Sequence, residues 1–312
     1  MNNMILIPVG LAGLVLLYYG AEYLVRGSAA LAARCRIPPL IVGLTIVAYG
    51  TSAPELFVST GAAMKGLGDV CVGNIVGSNI CNIALILGLT ALIAPMEVSR
   101  SLIRRDLPVM IVASIAVTAL CLLNGGMGRV AGLIFVGGIV LYTVWGILAA
   151  RASGAGDSAP EPAMGPFLSL GAIVGGLVLL VLGAKMLLAG TVFVERWLSV
   201  SDEFIALTVV AVGTSLPELA TSVIAARRDQ PDIAVGNIIG SNIFNILGIL
   251  GCSALIAPFK IEGMDAVDFG VMIAMAVCLW PVMKPQNRLG RLEGLLLLSF
   301  YAAYLVWLVC KM

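Results

Sequence analysis

Two short stretches hold most of the chemistry available inside a strongly apolar chain. The first is Gly50-Thr51-Ser52-Ala53-Pro54-Glu55, followed by Gly73-Asn74-Ile75-Val76-Gly77-Ser78-Asn79-Ile80-Cys81-Asn82. The second is Gly213-Thr214-Ser215-Leu216-Pro217-Glu218, followed by Gly236-Asn237-Ile238-Ile239-Gly240-Ser241-Asn242-Ile243-Phe244-Asn245. Glu55 and Glu218 lie 163 positions apart, and so do Asn82 and Asn245. A constant offset over two separated motifs marks an internal duplication. Each copy places a carboxylate, three hydroxyls, three amides and a Pro where hydrocarbon is the expected surrounding. Such groups are costly there and call for a functional explanation.

The chemistry follows from the atoms. Pro54 has no N–H, so the carbonyl of Gly50 loses its helical donor, and Pro217 does the same to Gly213. Gly at those positions is expected to let the backbone bend. A helix broken this way leaves carbonyl oxygens at membrane depth, which is tolerated where they line a cavity. Ala48, Thr51, Glu55 and Ser59 fall on one helical stripe with Ser52 at its edge, and Ser78 and Asn82 share a face of the next segment. Gly73 and Gly77 form a GxxxG pair that permits close helix approach. The second copy supplies Ala211, Thr214, Ser215, Glu218, Ser241 and Asn245. Carboxylates, hydroxyls, amides and carbonyls without imidazole select hard cations such as Ca²⁺, Mg²⁺ or Na⁺. Two carboxylates are balanced by one divalent ion or by two monovalent ions, which is a physical basis for exchange.

Blander readings apply to single features. A Pro kink with Ser and Thr is by itself structural; two copies, each with a Glu inside an apolar run, point to function. Asn74, Asn79, Asn237 and Asn242 read first as bonds between helices. Asp69 and Asp232 read as helix caps, with a cation-attracting vestibule as the sharper alternative. Glu22 and Lys185 read as snorkelling residues at span ends.

Composition sets the class. The chain has 312 residues, 60% hydrophobic and 11% charged, with a mean hydropathy of +1.07. Soluble chains are about 25% charged, so this is an all-α integral membrane protein whose partners are the lipid bilayer and inorganic cations. A net charge of +1 gives no case for nucleic acid. No His is present, and no span carries an Asp pair, which removes the usual intramembrane protease chemistry. The seven Cys form no CxxC pair and read as free thiols. Met1 to Met4 contain no Lys or Arg, so the first apolar run reads as a retained span.

The elements that must position the motifs are membrane helices. Ten spans are expected, near 4–24, 38–64, 70–94, 107–123, 129–150, 167–190, 203–226, 232–257, 265–283 and 291–310. They divide into a first five-helix repeat, 1–150, and a second, 167–312, joined by a short linker, 151–166. Arg26, Arg34, Arg36, Arg100, Arg104, Arg105, Arg151, Arg227, Arg228, Lys284, Arg288 and Arg291 fall on one side, against Lys65, Arg129, Arg196, Lys260 and Lys311 on the other. The richer side should be cytoplasmic, which puts both termini outside and the linker inside. Five spans per half force the second half to enter from the opposite side. Inverted repeats with broken helices are the pattern of secondary transporters; a passive cation channel is the competing class.

Both motifs resemble the alpha repeats of the cation/Ca²⁺ exchanger superfamily, prokaryotic sodium/calcium exchanger type, over nearly the whole chain. The resemblance implies two inverted five-helix repeats, with Leu14 to Leu24 and Leu177 to Leu187 on a moving pair of long helices. It implies that Ca²⁺ is held by Glu55 with Thr51 and Glu218 with Thr214. It implies Na⁺ sites at Ala48, Ser52, Ser78, Ala211, Ser215 and Ser241. At the family's middle site this chain has Asn82 and Asn245, so the acid often found on one repeat is missing. The function implied is an inner-membrane antiporter exchanging Ca²⁺ for Na⁺, with H⁺/Ca²⁺ exchange through the same two Glu as the alternative. No cofactor is expected, no Ca²⁺-sensor domain, and a monomer.

Overall fold

Apolar runs in hydrocarbon satisfy their backbone internally, and the chain does so as helices. The computed structural model describes residues 6–152, 163–197, 211–284 and 287–311. In chain order the helices are α1 Leu6–Cys35, α2 Pro39–Thr51, α3 Ala53–Met64, α4 Gly68–Ile93, α5 Leu102–Asn124 and α6 Arg129–Ala152. Then come α7 Pro166–Trp197, α8 Ala211–Thr214, α9 Leu216–Arg227, α10 Pro231–Ile256, α11 Ala266–Met283 and α12 Arg291–Lys311. Among the described residues, eight helices are long and apolar enough to cross a membrane, and the bent pair α2–α3 makes a ninth span. The protein is therefore an all-helical, multi-pass membrane protein. The first part of the span expected at 203–226 and most of the linker lie outside the described residues.

Nine of the expected spans fall on helices, with clear differences in length at α7, which continues past 190 to Trp197, and above all at α1. α1 does not stop near residue 24 but runs on to Cys35. Its extra turns are polar, and the reason they stay helical is visible. Glu22 pairs with Arg26 one turn on, at 2.6 Å, and with Arg228 after α9. Glu22 is only 6% exposed. It is a tethered, buried carboxylate and not a snorkelling one, whereas Lys185 is exposed.

Short contacts tie the ends of the helices together in two sets. Strand β1, Met96–Glu97, pairs antiparallel with β4, Arg288–Leu289. Strand β2, Gly126–Met127, pairs with β3, Phe259–Lys260. Arg34 reaches the carbonyl of Met164, and Asp69 accepts the N–H groups of Glu262 and Gly263. Each contact joins segments that the Lys and Arg distribution assigned to one side. Asp69 thereby closes a loop across the structure and does not cap its own helix.

The core sits around α4 and α10, the most enclosed of the spans. Close crossings need residues without side chains. Gly236 and Gly240 of α10 lie against the backbone of α2 at Leu40 and Leu44, so a Cβ on Gly240 would stand 2.5 Å from the Leu44 oxygen. Gly73, by contrast, meets only the Met264 sulfur. The longest contact is between α1 and α7, which run antiparallel on Gly13, Gly20, Gly176 and Gly183.

Candidate ion-binding site

The first motif breaks its helix where Pro54 requires it. α2 ends at Thr51, Ser52 takes φ −80° and ψ 11°, and α3 leaves at 50° to α2 with Pro54 in its first turn. The second motif repeats this at Ser215, φ −89° and ψ 7°, between α8 and α9. Residues Ser52 and Ser215 absorb the break. Gly50 and Gly213 have another role. A Cβ on Gly50 would fall 2.6 Å from Leu177 Cδ2, and Leu188 presses on Gly213 in the same way. Both glycines make room for α7 and are not the hinges expected of them.

The break gathers the two motifs from opposite ends of the chain. Ser52 donates to Glu218 Oε1 at 2.8 Å, and Ser215 donates to Glu55 Oε1 at 3.2 Å. Each carboxylate is thus held by the other half's serine. Ser241 stands 3.5 Å from Glu218 Oε1 and 3.4 Å from the Ala48 carbonyl. Glu218, Ser52, Ser241 and the Ala48 carbonyl therefore form one oxygen cluster. Around Glu55 stand Ser215 and Thr214, and α4, which carries Ser78, packs on α8, which begins at Ala211. The Thr51 hydroxyl bonds Asn237 at 3.1 Å and the Ala48 carbonyl at 3.3 Å. Glu55 and Glu218 are near enough to repel each other when both are charged.

The middle of the site is made of amides. Asn82 Nδ2 donates to Asn242 Oδ1 at 3.1 Å, and Asn245 Nδ2 donates to Asn79 Oδ1 at 3.0 Å. Asn74 and Asn237 bind Ser59 and Ser222 at 2.9 and 3.0 Å, so these two serve as bonds between helices, as their bland reading held. The backbone also departs from regular helix here. α4 has a π-helical stretch over Asn82–Leu87 and α10 one over Phe244–Leu250. Such bulges are frequent at functional sites. They present Asn82 and Asn245, and no sequence period signals them.

Burial decides what this arrangement can do. Glu55, Ser52, Ser78, Asn82, Glu218, Ser241 and Asn245 are at 0% exposure, and Thr214 is at 7%. Buried polar atoms are normally bonded, and each exception needs a reason. Six motif oxygens, Glu55 Oε2, Glu218 Oε2, Asn82 Oδ1, Asn245 Oδ1, Ser78 Oγ and Asn74 Oδ1, have no hydrogen-bond partner among the described residues, as have Ser28 Oγ and Thr221 Oγ1 outside the motifs. Five of the six belong to the residues named from the sequence as candidate ion ligands. An all-oxygen set with two carboxylates is suited to a hard cation. No cluster of three His, Cys, Asp or Glu occurs among the described residues.

Comparison with known proteins agrees with the geometry. Residues 5–148 and 168–310 match the family model described as sodium/calcium exchanger protein. The chain is 38% identical to inner membrane protein YrbG of Escherichia coli, with 96% of this chain and 94% of that one covered. It is 31% identical to the sodium/calcium exchanger MaX1 of Methanosarcina acetivorans, covering 95% and 96%. Its structure is similar to that of the sodium-calcium exchanger NCX_Mj soaked with Na⁺ and Ca²⁺, with a TM-score of 0.84 and 31% identity over 97% of this chain and 98% of that one. This chain belongs to the sodium/calcium exchanger family and is a membrane transporter of cations.

Proposed function

We propose that the protein is an antiporter of the bacterial inner membrane type that exchanges Ca²⁺ for Na⁺ by alternating access at the occluded site. Ten spans form two inverted five-helix halves, residues 1–150 and 167–312, with the linker 151–166 cytoplasmic and both termini outside. Ca²⁺ sits between Glu55 and Glu218, with the carbonyl oxygens of Thr51 and Thr214. Na⁺ takes the two oxygen clusters related by the duplication. One has Ala48, Ser52 and Ser241 beside Glu218; the other has Ala211, Ser215 and Ser78 beside Glu55. Asn82 and Asn245 turn neutral oxygens to the middle. The protein works as a monomer.

The observation that carries this reading is the set of buried, unpartnered oxygens on five candidate ligand residues, Glu55, Ser78, Asn82, Glu218 and Asn245, drawn from both halves. A rigid site with such oxygens favours a cation that can replace its own hydration shell there. An unloaded site would keep two neighbouring carboxylates in apolar surroundings, which is unfavourable to move. Only loaded forms then cross between access states, and that condition couples the two ions. Exposure of α1 and α7 along one side fits a moving pair, since both present Leu14, Val15, Tyr18, Val174 and Val178 outward.

The test is uptake of radiolabelled Ca²⁺ into proteoliposomes preloaded with Na⁺ or with choline at matched pH. Uptake that requires internal Na⁺ supports the exchanger. Equal uptake in both, rising when the lumen is acidified, would assign the driving ion to protons. Glu55→Gln and Glu218→Gln should each abolish Na⁺-driven Ca²⁺ uptake while the protein remains folded. Intact flux in either variant would remove that carboxylate from the site.

A further inference from the structure

We propose that the groove between α1 and α7 binds one anionic phospholipid of the cytoplasmic leaflet, with its phosphate at Arg26 and one acyl chain along α7. This lipid site does not depend on which cations are exchanged. It does depend on the Lys- and Arg-rich side being cytoplasmic.

The groove has a volume of about 690 Å³. Leu168, Gly171, Gly175 and Val178 line it from α7, and Tyr23 and Arg26 line it from α1. A Cβ on Gly171 or Gly175 would meet nothing within 4 Å, so these two form an open floor. Leu168 and Val178 are 63% and 52% exposed, and in a bilayer such apolar surface lies against acyl chains. From Leu168 to Leu179 the groove runs about 16 Å, at a rise of about 1.5 Å per residue. That is about half of a hydrocarbon core of about 30 Å, the depth of one leaflet.

The charged end of the groove fits a headgroup. The Arg26 side chain is 51% exposed and holds Glu22 through Nε at 2.6 Å. The outer nitrogens of its guanidinium carry further N–H donors. Glu22 is shared with Arg228, which is 41% exposed. Arg34 donates to the carbonyl of Met164, and Met164 lines the same end of the groove. Three guanidiniums thus meet one carboxylate, and the surplus is positive. A guanidinium fork matches two oxygens of a phosphodiester. Basic pockets between spans on the cytoplasmic side suit anionic headgroups, whereas phosphatidylcholine brings an ammonium that the surplus repels. Tyr23, one turn before Arg26 and 46% exposed, has the amphipathic ring favoured at the membrane–water interface.

The experiment uses the full chain in phosphatidylcholine vesicles with a trace of phosphatidylglycerol or phosphatidylcholine carrying a photoreactive acyl chain. After crosslinking, the labelled peptides are mapped by mass spectrometry. One unit of charge beside an anionic headgroup corresponds to about a fivefold preference. Phosphatidylglycerol should therefore label Leu168 to Leu179 about fivefold or more above phosphatidylcholine. Arg26→Gln leaves Glu22 paired with Arg228 and should bring that ratio close to one, while Arg26→Lys should keep most of it. Gly171→Phe fills the open floor and should lower labelling of α7 by both lipids, with labelling of the other helices unchanged. Equal labelling by the two lipids in the parent, a preference that survives Arg26→Gln, or α7 labelling undiminished by Gly171→Phe overturns the site.

Discussion

Adjacent glycines on α7 offer a test of how α1 and α7 are joined. A Cβ on Gly176 would stand 2.7 Å from the Gly20 oxygen and 2.7 Å from the Leu24 nitrogen of α1. A Cβ on Gly175 would meet nothing within 4 Å. Gly175 instead faces a groove that Tyr23, Arg26, Leu168 and Gly171 also line. Both changes to Ala carry the same gain in helix propensity, about 1 kcal/mol. That gain cancels when Gly176→Ala is compared with Gly175→Ala. What remains is the clash with backbone atoms that have no rotamer to escape into, and overpacking of this kind costs about 1–3 kcal/mol. In large domains 1 kcal/mol corresponds to about 2–4 °C in the melting temperature.

The assay is thermal unfolding of the full chain in detergent, followed by tryptophan fluorescence, with Na⁺-driven Ca²⁺ uptake measured on the same preparations. Gly175→Ala should melt at or above the parent temperature and transport normally. Gly176→Ala should melt several degrees below Gly175→Ala and transport more slowly, because α1 and α7 can no longer move as one body. Equal melting temperatures for the two variants would refute a backbone-to-backbone α1–α7 contact.

Three further outcomes follow from single contacts. Ser52→Ala removes a 2.8 Å bond to Glu218; bonds to charged groups are worth about 1.5–3 kcal/mol, so the Na⁺ half-saturation should rise about tenfold or more, and Ser241→Ala, at 3.5 Å, should do less. A reversed order would show that Ser241 is the better ligand. Asn245→Asp sets a carboxylate oxygen against Asn79 Oδ1 and should lower stability by about 1–3 kcal/mol; unfolding at the parent temperature would refute the amide orientation. Asp69→Ala frees the N–H groups of Glu262 and Gly263 and should lower the melting temperature while leaving the Ca²⁺ half-saturation unchanged; a marked rise in half-saturation would restore the vestibule role that the loop contact displaces.

The motifs were legible because chemistry and duplication coincide in them. Pro54, Pro217, Glu55 and Glu218 break helices and carry charge in runs that otherwise hold Ile, Leu and Val, and a constant offset joins them. Apolar length placed the spans for the same reason. Three features were not legible. The exchange of serines between halves, Ser52 to Glu218 and Ser215 to Glu55, depends on how two broken helices face each other, which no local period encodes. The π-helical turns at Asn82 and Phe244 arise from packing and not from composition. The polar end of α1 looked like a loop because Glu22, Arg26 and Arg34 interrupt the apolar run. Its helix is supported by Arg228, 206 residues away, and a partner at that distance leaves no trace in the neighbouring sequence.

The duplication kept the site in both halves but not the ion pair at the end of α1, and physics separates the two. In the proposed arrangement the site must serve ions arriving from either side, so equivalent residues face it: Glu55 and Glu218, Ser52 and Ser215, Asn82 and Asn245. The ends face unlike surroundings. At one end Glu22 of α1 pairs with Arg228 beyond α9. The equivalent positions at the other end are Lys185 and Lys65, two like charges, both exposed. Two access states related by exchanging the halves would be equal in energy if the halves were identical. The Glu22 pair ties α1 to α9 at one end alone, and Lys185 and Lys65 cannot reproduce it at the other. Arg228 is 41% exposed, and exposed pairs contribute up to about 1 kcal/mol, which changes the ratio of the two states several-fold. The bias is small enough for ion binding to reverse it, as a transporter that must visit both states requires.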